Sequence, residues 1–189
     1  MNTYFQSILK SYLTFLKFEK GLADNTIISY QHDLNVYLKY VISSGCNNFQ
    51  DINSHHLSDF FFELNALSLT DITQNRYLSA IRSFHIFLLE ENIIDTNFTT
   101  KFELHKTTRK IPNILTLQQI DNLLDAVNTS TPTGIRDKTI IEILYACGLR
   151  VSELINLKIQ DVLFSEELIR IMGKGNKERI VPIGSEALH

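Results

Sequence analysis

The sequence predicts a mostly α protein, with an amino-terminal helical unit followed by an α+β segment that ends in a small antiparallel sheet. Three observations carry that expectation. Apolar residues recur at three- and four-residue steps from Tyr4 to Leu88, the period of helices that bury one face. Polar, basic and turn-forming residues break the pattern between positions 96 and 114. Short apolar runs joined by turn residues follow Asp161.

Taken in order, Tyr4, Ile8, Tyr12, Phe15 and Leu16 form an apolar stripe that stops at Lys20-Gly21. Asp24 or Asn25 is placed to cap a second helix through Ile27, Tyr30, Leu34, Tyr37, Leu38 and Val41, which ends at Ser43-Ser44-Gly45. Ser54 opens a third through Leu57, Phe60, Phe61 and Leu64. A fourth runs from about Thr70 to Glu91 and carries Tyr77, Ile81, Phe84, Phe87 and Leu88. Without strand-like alternation among them, these four make a helical bundle with an aromatic-rich core, and the Phe and Tyr residues read as its filling.

Beyond the break, Thr116-Leu117-Gln118-Gln119 has the form of a capping box and starts a helix through Ile120, Leu123, Leu124 and Val127. Residues Asn128 to Thr133 read as a polar loop, and Gly134-Ile135-Arg136-Asp137 as the lead into an apolar helix that Gly148 ends. Tyr145, inside that apolar run, reads as core. A short helix from Val151 to about Leu157 precedes three short strands, around Val162-Leu163-Phe164, Leu168 to Met172, and Arg179 to Ile183. The expected organisation is a helical unit over 1–95, a linker over 96–114 and a second unit over 115–189.

Of the 189 residues, 44% are hydrophobic, enough to fill a core in each of two small units. The 18 basic and 21 acidic residues leave a net charge of −3, which by itself weighs against a nucleic-acid partner. Binding follows local patches, however, and Lys174, Lys177 and Arg179 face only Glu178 in their segment. Cys46 and Cys147 lack metal-ligand spacing and form no disulfide framework, which suits a reducing cytoplasm. The start, Met1-Asn2-Thr3-Tyr4-Phe5-Gln6, has no basic and apolar leader pattern, and no apolar run approaches membrane length. A soluble cytoplasmic protein without a membrane partner is expected. There is no Walker loop, zinc-finger spacing, His-Glu-x-x-His helix or Gly-x-Ser-x-Gly elbow, so those reaction classes drop out.

Two cations stand in settings suited to a phosphodiester. Arg150 follows the helix-ending Gly148 and begins a short helix, where a planar guanidinium can hold two non-bridging phosphate oxygens at once. Glu153, three residues on, shares its face and is placed to orient neighbouring cations. Lys174 lies between Gly173 and Gly175, which permit a tight turn and a close approach to a ligand. Each also has a plainer reading, Arg150 as a surface arginine paired with Glu153 and Lys174 as a solvated turn lysine.

Order and separation make the signal specific. Gly148-Leu149-Arg150-Val151-Ser152-Glu153-Leu154, then Leu157, Asp161, and Gly173-Lys174-Gly175-Asn176-Lys177-Glu178-Arg179-Ile180-Val181-Pro182-Ile183 resemble the corresponding run of tyrosine site-specific recombinases of the Xer type. Gly134-Ile135-Arg136-Asp137-Lys138 resembles the start of their apolar helix. Asn25-Thr26-Ile27, Tyr30, Asp33-Leu34, Arg76-Tyr77, Ile81-Arg82-Ser83-Phe84 and Phe87-Leu88 resemble their amino-terminal domain. Cys147, where Thr or Ser is common, and Asn97-Phe98, where Asn-Pro is usual, depart from the pattern beside the catalytic positions and not at them.

The resemblance implies a four-helix core-binding (SAM-like) domain followed by the first part of an α+β recombinase catalytic domain. It implies that a tyrosine attacks the scissile phosphate to leave a 3′-phosphotyrosyl enzyme, with no metal or other cofactor. Carried over by position, Arg150 is the first active-site arginine, Lys174 the general acid for the departing 5′-oxygen, and Glu153 a supporting residue. DNA contacts are expected from Arg76, Arg82, Arg109, Lys110, Lys177 and Arg179. The family's His-x-x-Arg pair and nucleophilic tyrosine belong downstream of the hairpin, and no residue here takes their place, so the chain alone is expected not to cut DNA and residues 115–189 to be marginally stable.

The implied partners are a double-stranded recombination site and a second Xer-type subunit, in a heterotetramer of the full-length form acting in chromosome dimer resolution. An integrase fragment from a phage or mobile element, a non-catalytic DNA-binding remnant, and a helical interaction protein without a DNA role are the competing readings.

Overall fold

The computed structural model describes residues 3–104, 106, 112–173 and 178–184. The chain divides into two compact units, Met1–Lys110 and Ile111–His189. Helices followed by a three-stranded antiparallel sheet give the mostly α architecture that the periodicity predicts.

The first unit is built on α1 (Thr3–Phe18), α2 (Asp24–Ser43), α3 (Ser54–Ala66) and α4 (Asp71–Glu90). Each turns an apolar stripe inward, and the rings of Phe5, Tyr12, Tyr37, Phe49, Phe60 and Phe84 are buried together. They meet edge-on or tilted, as in Tyr12 against Phe84 at 5.1 Å and Tyr37 against Phe60 at 5.4 Å between centroids, the arrangement that ring quadrupoles favour. The aromatics read from sequence as bundle filling do fill it.

The start of α2 differs from expectation by a residue, and that of α3 is as expected. Neither Asp24 nor Asn25 caps α2: Ala23 holds the cap position with no side-chain bond, and Asp24 sits in the first turn, where its carboxylate pairs with Lys17 at 3.1 Å. Helix α3 is capped by Asn53, whose Oδ1 accepts the His55 and His56 N–H groups, so Ser54 is its first residue. The carboxamide oxygen satisfies two of the orphan donors at that end.

Part of the stretch whose composition marks a linker is packed. Residues Phe98–Lys101 form a 3-10 turn capped by Asn97, Thr99 is buried, and Phe98 and Phe102 lie against the bundle core. The polar residues of this stretch hide two apolar anchors that reach α4.

The second unit contains α5 (Leu117–Asp125), α6 (Pro132–Cys147), α7 (Val151–Ile155), β1 (Val162–Leu163), β2 (Leu168–Met172) and β3 (Glu178–Pro182). Thr116 and Gln119 form the predicted capping box at 3.3 and 2.9 Å. Helix α6 begins earlier than expected, with Thr131 Oγ1 accepting the Gly134 N–H and Pro132 at the first position, where its missing N–H costs nothing. Strand β2 pairs with both neighbours, with Ile169 opposite Val162 and Val181, and Ile171 opposite Arg179.

Its buried hydrophobic set is small: Cys147, Leu149, Ile169, Ile171 and Ile183. Tyr145, read as core, is instead 51% exposed, on the side of α6 away from the strand face. An apolar period identifies a face and cannot say what covers it.

Gly148 ends α6 at φ 58°, ψ 35°, the left-handed conformation that L side chains rarely adopt, and its N–H bonds to the Leu144 carbonyl at 3.1 Å. A Cβ there would meet nothing within 4 Å. The expected cost of Gly148→Ala is therefore backbone strain alone, about 1 kcal/mol, read as a lower urea midpoint for the second unit. An unchanged midpoint would show that this turn relaxes freely.

Candidate functional site

The turn at Gly148 positions Arg150. Leu149 is buried, which fixes the chain on the core, and Arg150 then occupies the cap position of α7 with extended backbone at φ −75°, ψ 150°. Its own N–H donates to Glu153 Oε2 at 2.8 Å, so this first backbone donor is already taken.

Glu153 is the hub. Oε1 accepts from Arg150 Nη1 at 2.8 Å and from Arg179 Nη1 at 2.7 Å, while Oε2 accepts from Arg179 Nη2 at 2.9 Å. The hydrogen bonds from Arg179, the Arg150 N–H and the Arg150 guanidinium together hold this carboxyl well below the usual range, and the same contact raises Arg179. A fork-to-fork pair between β3 and α7 thus anchors one side of Arg150, whose side chain stays 70% exposed. The arrangement offers a fixed, outward guanidinium, the geometry for a doubly bonded oxyanion.

Arg179 was expected at DNA, and its partner could have been found in the sequence. Strand alternation puts Arg179 in phase with Val181 and Ile183, while Glu178, Ile180 and Pro182 face the other way. An arginine on the inward face needs an acid, and Glu153 supplies it.

Lys174, Lys177, Arg109 and Lys110 lie outside the described residues. Arg76 and Arg82 belong to α4 of the helical unit. Arg76 Nη1 bonds Asp33 Oδ2 at 2.6 Å, with Asp33 wholly buried and Arg76 about half exposed. Burial raises the Asp33 carboxyl, and the arginine draws it back. Arg82 Nη2 donates to the Phe102 carbonyl, tying the packed 98–102 stretch to α4. No helix among the described residues is long and apolar enough to cross a membrane. Among them, no three His, Cys, Asp or Glu residues are grouped to hold a metal ion.

A helical bundle followed by an α+β unit with an outward, braced guanidinium is the arrangement that comparison with known proteins places in a family. Residues 9–92 match the phage integrase N-terminal SAM-like domain, and residues 113–189 match the phage integrase family. The chain belongs to that family, the tyrosine recombinases.

Within the family it is XerD-like. It is 40% identical over 180 residues to tyrosine recombinase XerD of Halalkalibacterium halodurans, covering 95% of this chain and 60% of the relative. To XerD of Oceanobacillus iheyensis it is 38% identical over 182 residues, covering 96% and 61%. The chain thus spans about 60% of the length of these relatives. Its fold is that of a lambda integrase (75-356) dimer bound to a COC′ core site, with a TM-score of 0.73 at 18% identity, covering 97% of this chain and 64% of that one. The Tn1549 transposon integrase with circular intermediate DNA is similar at a TM-score of 0.65 and 18% identity, covering 95% and 61%.

Proposed function

We propose that the chain grips duplex DNA and supplies the first half of the active site of a Xer-type site-specific recombinase. The observation that carries this is Arg150, held on one side by Glu153 and open on the other. In the proposed reaction a tyrosine hydroxyl attacks the scissile phosphorus, the bond to the 5′-oxygen breaks, and a 3′-phosphotyrosine forms with a free 5′-hydroxyl. Arg150 donates to the non-bridging oxygens as negative charge accumulates there. Lys174 gives the proton that the departing alkoxide needs. The tyrosine and the His-x-x-Arg pair come from the part of the family's length that lies beyond this chain.

The XerD-type similarity supports a cellular role in resolving chromosome dimers at division, in the cytoplasm, beside a second Xer-type recombinase in a heterotetramer. Arg76, Arg82, Arg109, Lys110 and Lys177 remain the proposed set at the DNA, whereas Arg179 turns to Glu153. Arg76 and Arg82 would serve partly through the contacts they make to Asp33 and Phe102.

The test is binding of the 189-residue chain to duplex DNA over a salt series. Affinity should fall steeply with salt, and Arg150→Ala should lower the slope of log affinity against log salt by about 1. Absent or salt-independent binding would remove the DNA reading. The genomic frame after the His189 codon tests the recombinase part, where an in-frame His-x-x-Arg and tyrosine are expected.

A further inference from the structure

The two arginines on Glu153 are not equivalent. Arg179 commits both Nη atoms to the two carboxylate oxygens, at 2.7 and 2.9 Å, and its side chain is 37% exposed. Arg150 commits only Nη1, and its other guanidinium donors have no partner among the described residues. Charge follows the same division. One carboxylate faces two guanidiniums, so the cluster carries one net positive charge.

Without Arg179, the carboxylate and Arg150 would neutralise each other. Glu153 would then compete for the guanidinium that a phosphate needs, and a closed pair has little left to offer an anion. With Arg179 in place, the carboxylate's charge is already answered from β3, while its Oε1 and Oε2 still orient Arg150 through Nη1 and the backbone N–H. We infer that Arg179 is a positioning residue, whose charge set against Glu153 leaves Arg150 available to a phosphodiester. This rests on the reading of Arg150 as a phosphate ligand. The hydrogen bonds that hold the Glu153 carboxyl well below the usual range, that from Arg179 first, keep it ionised throughout.

The inference separates from two simpler roles for Arg179, direct contact with DNA and plain fastening of β3 to α7. Removing the carboxylate together with Arg179 leaves Arg150 as the lone charge, so the cluster returns to one net positive charge. A direct contact, by contrast, is not restored by deleting an acid. A mere fastener acts through the stability of the second unit, so urea unfolding of each variant reads it apart from binding: affinity lost by a variant that is still fully folded is not a fastening effect.

The experiment measures binding of the 189-residue chain to a fluorescent duplex over a salt series, for Arg150→Ala, Arg179→Ala, Arg179→Lys and two double variants. Arg150→Ala sets the scale, and if it binds as the parent does, the phosphate reading itself falls and the inference with it. Arg179→Ala should bind about eightfold more weakly at 0.1 M salt, one phosphate contact's worth, with a slope smaller by about 1. Arg179→Lys, which keeps the charge, should stay within about twofold of the parent.

Glu153→Gln with Arg179→Ala should also return to within about twofold of the parent. The second double variant, Glu90→Gln with Arg179→Ala, restores the total charge through a residue of α4 that is no partner of Arg150 or Arg179, and should stay as weak as Arg179→Ala alone. The inference is overturned if the Glu153 double variant remains weak, or if the Glu90 double variant recovers equally. Should Arg179→Ala fail to fold, Arg150→Ala, Arg179→Lys and the Glu153 double variant still decide, since the last removes the buried carboxylate that Arg179→Ala strands and must bind within about twofold of the parent for the inference to stand.

Discussion

Lowering the pH from 7 to 4 should remove about 3 kcal/mol from the stability of the helical unit through a single side chain, His85. This histidine sits on α4 with no exposed surface. Its Nε2 lies 3.1 Å from the Tyr37 hydroxyl, its Nδ1 is buried without a hydrogen-bond partner among the described residues, and its ring packs on Phe98 at 4.9 Å. An imidazolium has two N–H groups to satisfy, and this site offers one acceptor. Burial accordingly pushes the group down to about 4 from its ordinary 6.5.

The sign follows from which state takes the proton. Below 6.5 the unfolded chain protonates His85 and the folded chain does not, so the stabilisation present above 6.5 is lost progressively as the pH falls towards 4. Asp33 works in the opposite sense, because its raised carboxyl lets the folded state take a proton first. The difference between parent and His85→Phe isolates the histidine. Urea unfolding followed by circular dichroism at several pH values should show the parent losing about 3 kcal/mol more than the variant between pH 7 and 4. Equal slopes would mean that the ring is solvated or already charged in the native unit. Phenylalanine keeps the packing on Phe98, although it strands the Tyr37 hydroxyl, so the prediction concerns the slope and not the stability at neutral pH.

His85 also marks where sequence reading stops. What depends on neighbours a few residues apart was legible: the stripes of α1 to α4, the Thr116 to Gln119 box, the stop at Gly148 and the three strands. Capping and periodicity are local, so the chain displays them openly. What depends on distant partners was not. Nothing near Asp33 announces Arg76 forty-three positions on, and nothing near Phe98 shows that it will pack on His85. The candidate site falls between these cases. Arg150 and Glu153 are one helical turn apart and were read together, whereas Arg179 joined them only through the alternation of β3. Tyr145 failed for a related reason, since the periodicity of α6 gives a face without its cover.

The second large effect concerns Arg76, and it bears on how the DNA contacts are to be tested. Arg76→Ala should destabilise the helical unit by about 2 kcal/mol at pH 7, less than for a fully buried pair because the arginine is half exposed. The loss arises at Asp33, whose carboxylate is wholly buried and whose Oδ1 already lacks a hydrogen-bond partner among the described residues. Deprived of Arg76, it must stay charged without compensation or take a proton. Asp33→Asn with Arg76→Ala removes that charge, and urea unfolding should show most of the lost stability recovered. An additive double variant would instead place the value of Arg76 in its contact over the Tyr77 ring, at 5.5 Å. Because the single substitution weakens the fold that would present α4 to DNA, a drop in DNA affinity for Arg76→Ala does not identify a phosphate contact. The comparison that does is the double variant against Asp33→Asn alone. Neither variant has an ionised carboxylate at position 33, so the affinity difference between them reports what the exposed side of the Arg76 guanidinium gives to the backbone of the duplex.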